Sequence, residues 1–265
     1  MKLFLLLRLK SFKAELQYPA NFISGMLGTS LIGVMDILML WVPVSAFKTI
    51  GGWDFWQLGF MFSLWKISHG LHEALFIPFR GRHDEHIRMG DYDTFLIRPM
   101  HPILQVLGRS EFVLANTLSE WIPSVTMFFI TAPHVTAPWT AGNILFLLVL
   151  LLSGAVIEWA VYLFISSFGF WFVRTNALRG IAGAFLFRVA NYPLHIYGRV
   201  FPFVMTFIFP FAFMAYYPTH YFFNQPSMLF SPWLPYLTPL AAVISITIAW
   251  SFWSFGVKHY QSSGT

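Results

Sequence analysis

Residues 141–173 read AGNILFLLVLLLSGAVIEWAVYLFISSFGFWFV, with Glu158 as their only formal charge. About 20 apolar residues in a helix cross a hydrocarbon core of about 30 Å. In lipid the backbone must satisfy its polar groups within the segment, so a helix is the expected form. The run exceeds one straight crossing, which leaves room for tilt, for extension past the membrane, or for a break at Ser153-Gly154. Five further apolar runs lie near 21–47, 55–79, 112–133, 199–217 and 234–257. The sequence therefore predicts an all-α integral membrane protein of about six transmembrane helices, with 1–265 forming a single transmembrane domain.

Composition agrees. Hydrophobic residues make up 57% of the chain, aromatics 20% and charged residues 10%, against about 25% charged in soluble domains. The chain has no cysteine, which excludes disulfides, thiolate metal sites and cysteine catalysis.

The cations are distributed unevenly. Lys2, Arg8, Lys10 and Lys13 precede the first run. Arg80, Arg82, Arg88, Arg98 and Arg109 lie between the second and third. Arg174, Arg179, Arg188 and Arg199 lie between the fourth and fifth, and Lys258 follows the sixth. With alternating spans all of these share one side, whereas Lys48 stands on the other and Lys66 lies within a span. The positive-inside rule then places both termini in the cytoplasm of a multi-pass cell membrane protein, in bacteria the cell inner membrane. Because the basic residues track the membrane boundary, they do not form a nucleic-acid footprint.

The amino terminus imitates a signal peptide in Leu3–Leu7, but the run is short and basic residues follow. Residues 1–19 read instead as an interfacial amphipathic helix on membrane lipids, ended by Pro19. Residues 80–110 form the long cytoplasmic connection. Residues 175–198 read as a helix in or dipping into the inner interface, broken at Asn191-Tyr192-Pro193. Tyr216, Tyr217, Tyr221, Trp233 and Tyr236 fit an aromatic belt at the outer leaflet.

Residues 90–102 read GDYDTFLIRPMHP. Gly90 admits unusual backbone angles, and Asp91 or Asp93 is suited to capping a helical turn. Pro99 favours an extended Arg98, and Pro102 opens a new element. The segment is either a punctuated loop or a rigid, charged docking element.

It resembles the Gly-x-Leu-Asp-x-x-Leu-x-Arg-Pro-x-x-Pro signature of permease subunits of type-2, exporter-class ABC transporters of the small six-span kind. Tyr18-Pro19-Ala20-Asn21-Phe22 is similar to the family's Tyr-Arg-Ala-Asn-Phe. Tyr192-Pro193-Leu194 with Ile196-Tyr197, then Phe209–Phe213 and Tyr217-Pro218, resemble its fifth-span region. Trp253, Gly256, Tyr260, Ser262 and Gly264 resemble its terminal motif. Pro19, Tyr92 and His101 depart from the family's usual Arg, Leu and small polar residue.

The resemblance implies that Gly90, Asp91, Asp93, Arg98, Pro99 and Pro102 couple the chain to a dimer of ABC ATPase subunits. It also implies a second six-span permease, paralogous or identical, beside this one. The chain has no Gly-x-x-x-x-Gly-Lys-Ser/Thr phosphate loop. ATP and Mg are therefore expected in the partner ATPase, with no cofactor and no catalysis in this chain. The cargo implied is amphipathic, lipid-like or drug-like, moved out of the cytoplasm.

Lys66, His69, His72 and Glu73 crowd the second run, and Lys66, His69 and Glu73 share one helix face. Intramembrane ionisable groups are costly and point to function. Three readings stand: a self-compensating polar face, a lining of the transport path, or a proton or metal site. Two histidines three residues apart with one glutamate are a weak metal signal. Asp36, Glu120 and Glu158 are isolated acids, of which Glu158 is the expected partner of Lys66. His83-Asp84-Glu85-His86 reads as a solvated or ATPase-facing surface. The alternative function classes are an intramembrane lipid-modifying enzyme using Glu73 with His69, and a membrane assembly factor.

The charge asymmetry sets a topology test. Single cysteines at Gly52 or Asn224 are expected to react with a membrane-impermeant thiol reagent in intact cells, and one at Gly90 is not. Strong labelling at Gly90 overturns the orientation.

Overall fold

A computed structural model describes residues 10, 13, 16–76, 87, 90–109, 114–172, 175–225 and 230–261. Most of the 1–19 helix, Arg80, Arg82, Arg88, Arg174 and the 83–86 cluster lie outside these residues. Among the described residues the chain is helical, with no strand beyond an isolated Ile50–Trp53 bridge.

Helix α1 (Pro19–Phe47) starts on a proline, whose missing N–H costs nothing at a helix start. A turn through Gly51-Gly52 leads to α2 (Phe55–Phe76). Asp54 and Gln57 cap that start reciprocally, each side chain accepting the other's backbone N–H at 2.9 and 3.1 Å. Two short helices follow, α3 (Asp91–Ile97) and α4 (Pro102–Arg109). Next come α5 (Leu114–Thr131) and α6 (Ala141–Ser167), the latter capped by the Thr140 hydroxyl. Then come α7 (Asn176–Asn191), α8 (Val200–Phe203), α9 (Tyr216–Phe222) and α10 (Thr238–Lys258). Helix α6 runs unbroken through Ser153-Gly154, and Gly154 lies against Ser68 of α2.

Among the described residues, three unbent stretches are fit by length and composition to cross a membrane: Pro19–Phe47, Ala141–Phe170 and Leu234–Lys258. Helices α2 and α5 do not qualify, although they have 22 and 18 residues. Their polar side chains Lys66, His69, His72, Glu73 and Ser119 lie inside the bundle. Apolarity toward lipid is needed only on the outward face.

The 199–217 run is not a straight span. Val200–Ile208 and Pro210–Phe222 meet at 77°. Pro210 has no N–H to continue the ladder, and Phe209 before it is extended at φ −112°, ψ 90°. Both ends of this bent pair lie at the Gly51 end of the bundle. Just before it, His195 Nε2 is 2.7 Å from Gly51 O. At its far end the N–H groups of Thr136 and Ala137 donate to Phe222 O at 3.1 and 2.9 Å. Trp53 stacks on Tyr216 within it, at 5.5 Å and 6°.

The helix that travels from end to end is α7. It follows Phe170, whose ring meets Tyr92 at 5.2 Å at the opposite end of the bundle. It stops at the extended Tyr192, as the Asn-Tyr-Pro break predicts, and Leu194–Tyr197 then reach Gly51. Arg199 therefore shares the end of Lys48 rather than that of Arg98, which corrects the sequence-based grouping. The aromatic belt is corrected as well. Tyr216 and Tyr217 are fully buried, while Trp233 and Tyr236 are exposed.

Small residues set the helix spacing. A Cβ at Gly59 would run into Met127, one at Gly70 into the Trp121 ring, and one at Gly33 into Pro123. Trp121 Nε1 donates to Ile67 O at 3.3 Å, so the indole has little freedom to withdraw. Gly70→Leu is expected to cost about 1–3 kcal/mol by overpacking α2 against α5. Gly28→Ala, with nothing within 4 Å, is expected to stay within about 0.5 kcal/mol. Unfolding midpoints of the purified protein check both.

Candidate functional site

The polar residues of α2 are held by three other helices. The Lys66 ammonium lies 2.9 Å from Glu120 Oε2 on α5 and 3.2 Å from Asp36 Oδ2 on α1. It also stands 4.6 Å from the Trp65 ring centroid and 5.8 Å from that of Phe187 on α7. With the Phe62 ring at 5.9 Å as well, two carboxylates and three aromatic rings stabilise the ammonium.

Glu158 is not the partner of Lys66. Its carboxylate takes His69 Nδ1 at 2.8 and 3.0 Å and faces His72 Nδ1 at 3.3 Å. His69 and His72 are three residues apart on α2, so both rings reach α6 at one level. Glu73 lies on the other side of His69, with Oε1 4.0 Å from Nε2. Glu158 and His72 are fully buried, and His69 nearly so. Trp65 stacks on His69 and Tyr162 on His72, both at 5.6 Å. His69 thus lies between two carboxylates, hydrogen-bonded to Glu158 at Nδ1 and facing Glu73 at Nε2.

Asp36 and Glu120 carry no local motif. Their signal is that each is a lone acid in an apolar run, and so is Glu158. Choosing among the three needs the rotation of each helix about its axis.

The 90–102 segment forms a separate site at the Tyr92 end. Gly90 occupies the α3 N-cap at φ 76°, in the left-handed region, with no side-chain cap. The helix starts at Asp91, and Asp93 lies in its first turn, where negative charge suits the helix dipole. Arg98 is extended at φ −85°, ψ 145°, and Pro102 opens α4, as the sequence predicts.

Gln105, which carries no sequence signal, braces the turn. Its Nε2 donates to Phe95 O at 2.7 Å and to Met100 O at 2.6 Å. Tyr92 is fully buried and accepts from Trp253 Nε1 of α10 at 3.1 Å. Burial pushes its phenol far above the ordinary range. His101 stacks on Trp250 at 5.1 Å, and partial burial holds its imidazole below the ordinary pKa. Two motifs far apart in the chain, 90–102 and the terminal Trp-x-x-Gly, thus form one contact. The tip stays open: Ile97 is 83% exposed, and Leu96, Arg98 and Pro99 are exposed beside it.

The Lys66 pairing has a measurable consequence. Lys66→Met and Glu120→Gln are each expected to destabilise the protein. Their combined loss should fall short of the sum by about 0.5–3 kcal/mol, as for residues in contact. Lys66→Met with Glu158→Gln should show a clearly smaller coupling. Unfolding midpoints of the four-member cycles decide this.

Residues 31–264 match a family described as ABC-2 family transporter protein. No curated protein and no solved structure matches the chain. The match covers α2 to α10 and most of α1, so both sites described above lie within it. The chain is a transmembrane permease protein and belongs to the ABC-2 transporter family.

Proposed function

We propose that this chain is one permease half of an ABC exporter driven by a separate pair of ATPase subunits. The observation that carries this reading is the 90–102 element in an ABC-2 family chain. It is braced from inside by Gln105 and Tyr92 and exposed at its tip from Leu96 to Pro99. A rod that transmits motion must be stiff along its anchor and free at its tip. Gly90 sets the entry, Asp91 and Asp93 charge the first turn, and Arg98, Pro99 and Pro102 shape the tip. ATP and Mg belong to the partner, and closure of its two domains on nucleotide biases the permease between two arrangements.

The chain crosses six times in this reading, through α1, α2, α5, α6, α7 and α10. The bent α8–α9 pair dips in from the outer side and returns. Arg98, Arg179 and Lys258 at the Tyr92 end outnumber Lys48 and Arg199 at the other, which supports cytoplasmic termini. A second permease, identical or paralogous, covers part of the apolar face that α1 leaves open at Leu27, Leu31, Met35 and Met39, and lipid covers the rest. An apolar cleft of about 520 Å³ lies between α6, α10 and the bend at Phe207–Pro210. Its walls suit the apolar part of an amphipathic, lipid-like or drug-like cargo.

Asp93→Ala with Arg98→Ala, and separately Ile97→Asp, are expected to leave the protein inserted and folded while weakening capture of the ATPase. Co-purification with the ATPase subunit and ATP-driven export in vesicles test this. Wild-type capture and transport in both variants would remove the coupling assignment.

A further inference from the structure

We propose that His69, His72 and Glu73 bind a divalent transition-metal ion of the zinc class, with Glu158 orienting the two imidazoles. This is independent of the transport reading, because it concerns only the buried layer between α2 and α6.

The geometry comes first. His69, His72 and Glu73 each offer one ligand atom, and these atoms lie within 4.8 Å of one another. Their spacing, i, i+3 and i+4, puts all three on one face of α2. Glu158 faces the Nδ1 atoms of both rings, at 2.8 and 3.3 Å. At His69, which is hydrogen-bonded to it, this carboxylate holds the proton on Nδ1 and leaves the lone pair on Nε2. It also fixes the ring plane and raises the basicity of the ligating nitrogen. His69 Nε2 points at Glu73 Oε1 across 4.0 Å. That gap is too long for a hydrogen bond. A tetrahedral ion with bonds of about 2.0–2.2 Å holds two donors about 3.4 Å apart, so these side chains close by roughly half an ångström on binding it.

Charge comes second. Glu73 and Glu158 are two carboxylates in a layer sealed from water, at 8% and 0% exposure. The charge of Lys66 is taken by Glu120 and Asp36. A divalent ion held here places positive charge beside both carboxylates. The donor set also selects the metal. Imidazole nitrogen with carboxylate oxygen suits zinc, cobalt and nickel, whereas magnesium and calcium prefer oxygen alone. Three protein ligands leave a fourth position for water or a cargo group.

The test uses the full-length protein with a histidine-free affinity tag, titrated with Co²⁺. His83 and His86 are both changed to alanine to remove the other histidine cluster. With no cysteine in the chain, thiolate bands cannot confuse the spectrum. One equivalent of Co²⁺ is expected to give tetrahedral d–d absorption, displaced by Zn²⁺. Glu73→Gln should abolish the bands, and Glu158→Gln should weaken binding about 10–100-fold. No saturable binding would overturn the proposal. Unchanged bands in a monodisperse Glu73→Gln protein would overturn it too. Should Glu73→Gln fail to fold, the zinc X-ray absorption edge of the His83→Ala, His86→Ala protein decides. Imidazole scattering at about 2.0–2.1 Å supports the site, and its absence overturns it.

Discussion

A charge in the middle of a membrane protein has to be answered by other groups, and here the answer organises the bundle. A lone lysine at mid-membrane costs roughly 2.5–3.5 kcal/mol on insertion scales. Lys66 meets carboxylates from α1 and α5, while His69 and His72, one turn further along α2, meet Glu158 of α6. Helix α2 is therefore bound to three neighbours by polar contacts that have no equivalent in lipid. The small residues act with them, since Gly59, Gly70 and Gly154 allow the close approach that these short contacts need. Shape brings the helices together, and the ion pairs select their rotation.

The exposed tip at Ile97–Pro99 and the polar layer are separate sites joined by continuous packing. Tyr92 is fastened to Trp253 of α10, and Gly256 of the same helix admits the Phe170 ring at the end of α6. Helix α6 carries Glu158 back to α2. Tyr92, which replaces a common leucine, adds a polar tie to this anchor, because a buried phenol requires a hydrogen-bond partner.

Much was legible in order along the chain. The breaks at Asn191-Tyr192-Pro193, at Arg98-Pro99 and at Pro102 follow from local backbone chemistry, and the structure has them there. Gln105 was invisible because a lone glutamine in a polar stretch has no pattern. Its two bonds exist only once α3 and α4 fold against each other. The polar face of α2 could be named residue by residue, but not its partners.

The sequence by itself determined that this is a helical membrane chain of the ABC-2 kind, and that Lys66, His69 and Glu73 share a face with His72 in the same run. Those are properties of hydropathy, spacing and short motifs, which act locally. Only the tertiary structure decided that Lys66 belongs to Asp36 and Glu120 and that Glu158 belongs to the histidines. It also decided that α7 runs the length of the bundle while 199–217 folds back, and that Tyr216 and Tyr217 are interior. The physical reason is common to all of these. Hydropathy measures whether a segment tolerates lipid. Which way it turns, and which neighbour it faces, depend on helix order and rotation, which are set by contacts between residues far apart in the chain.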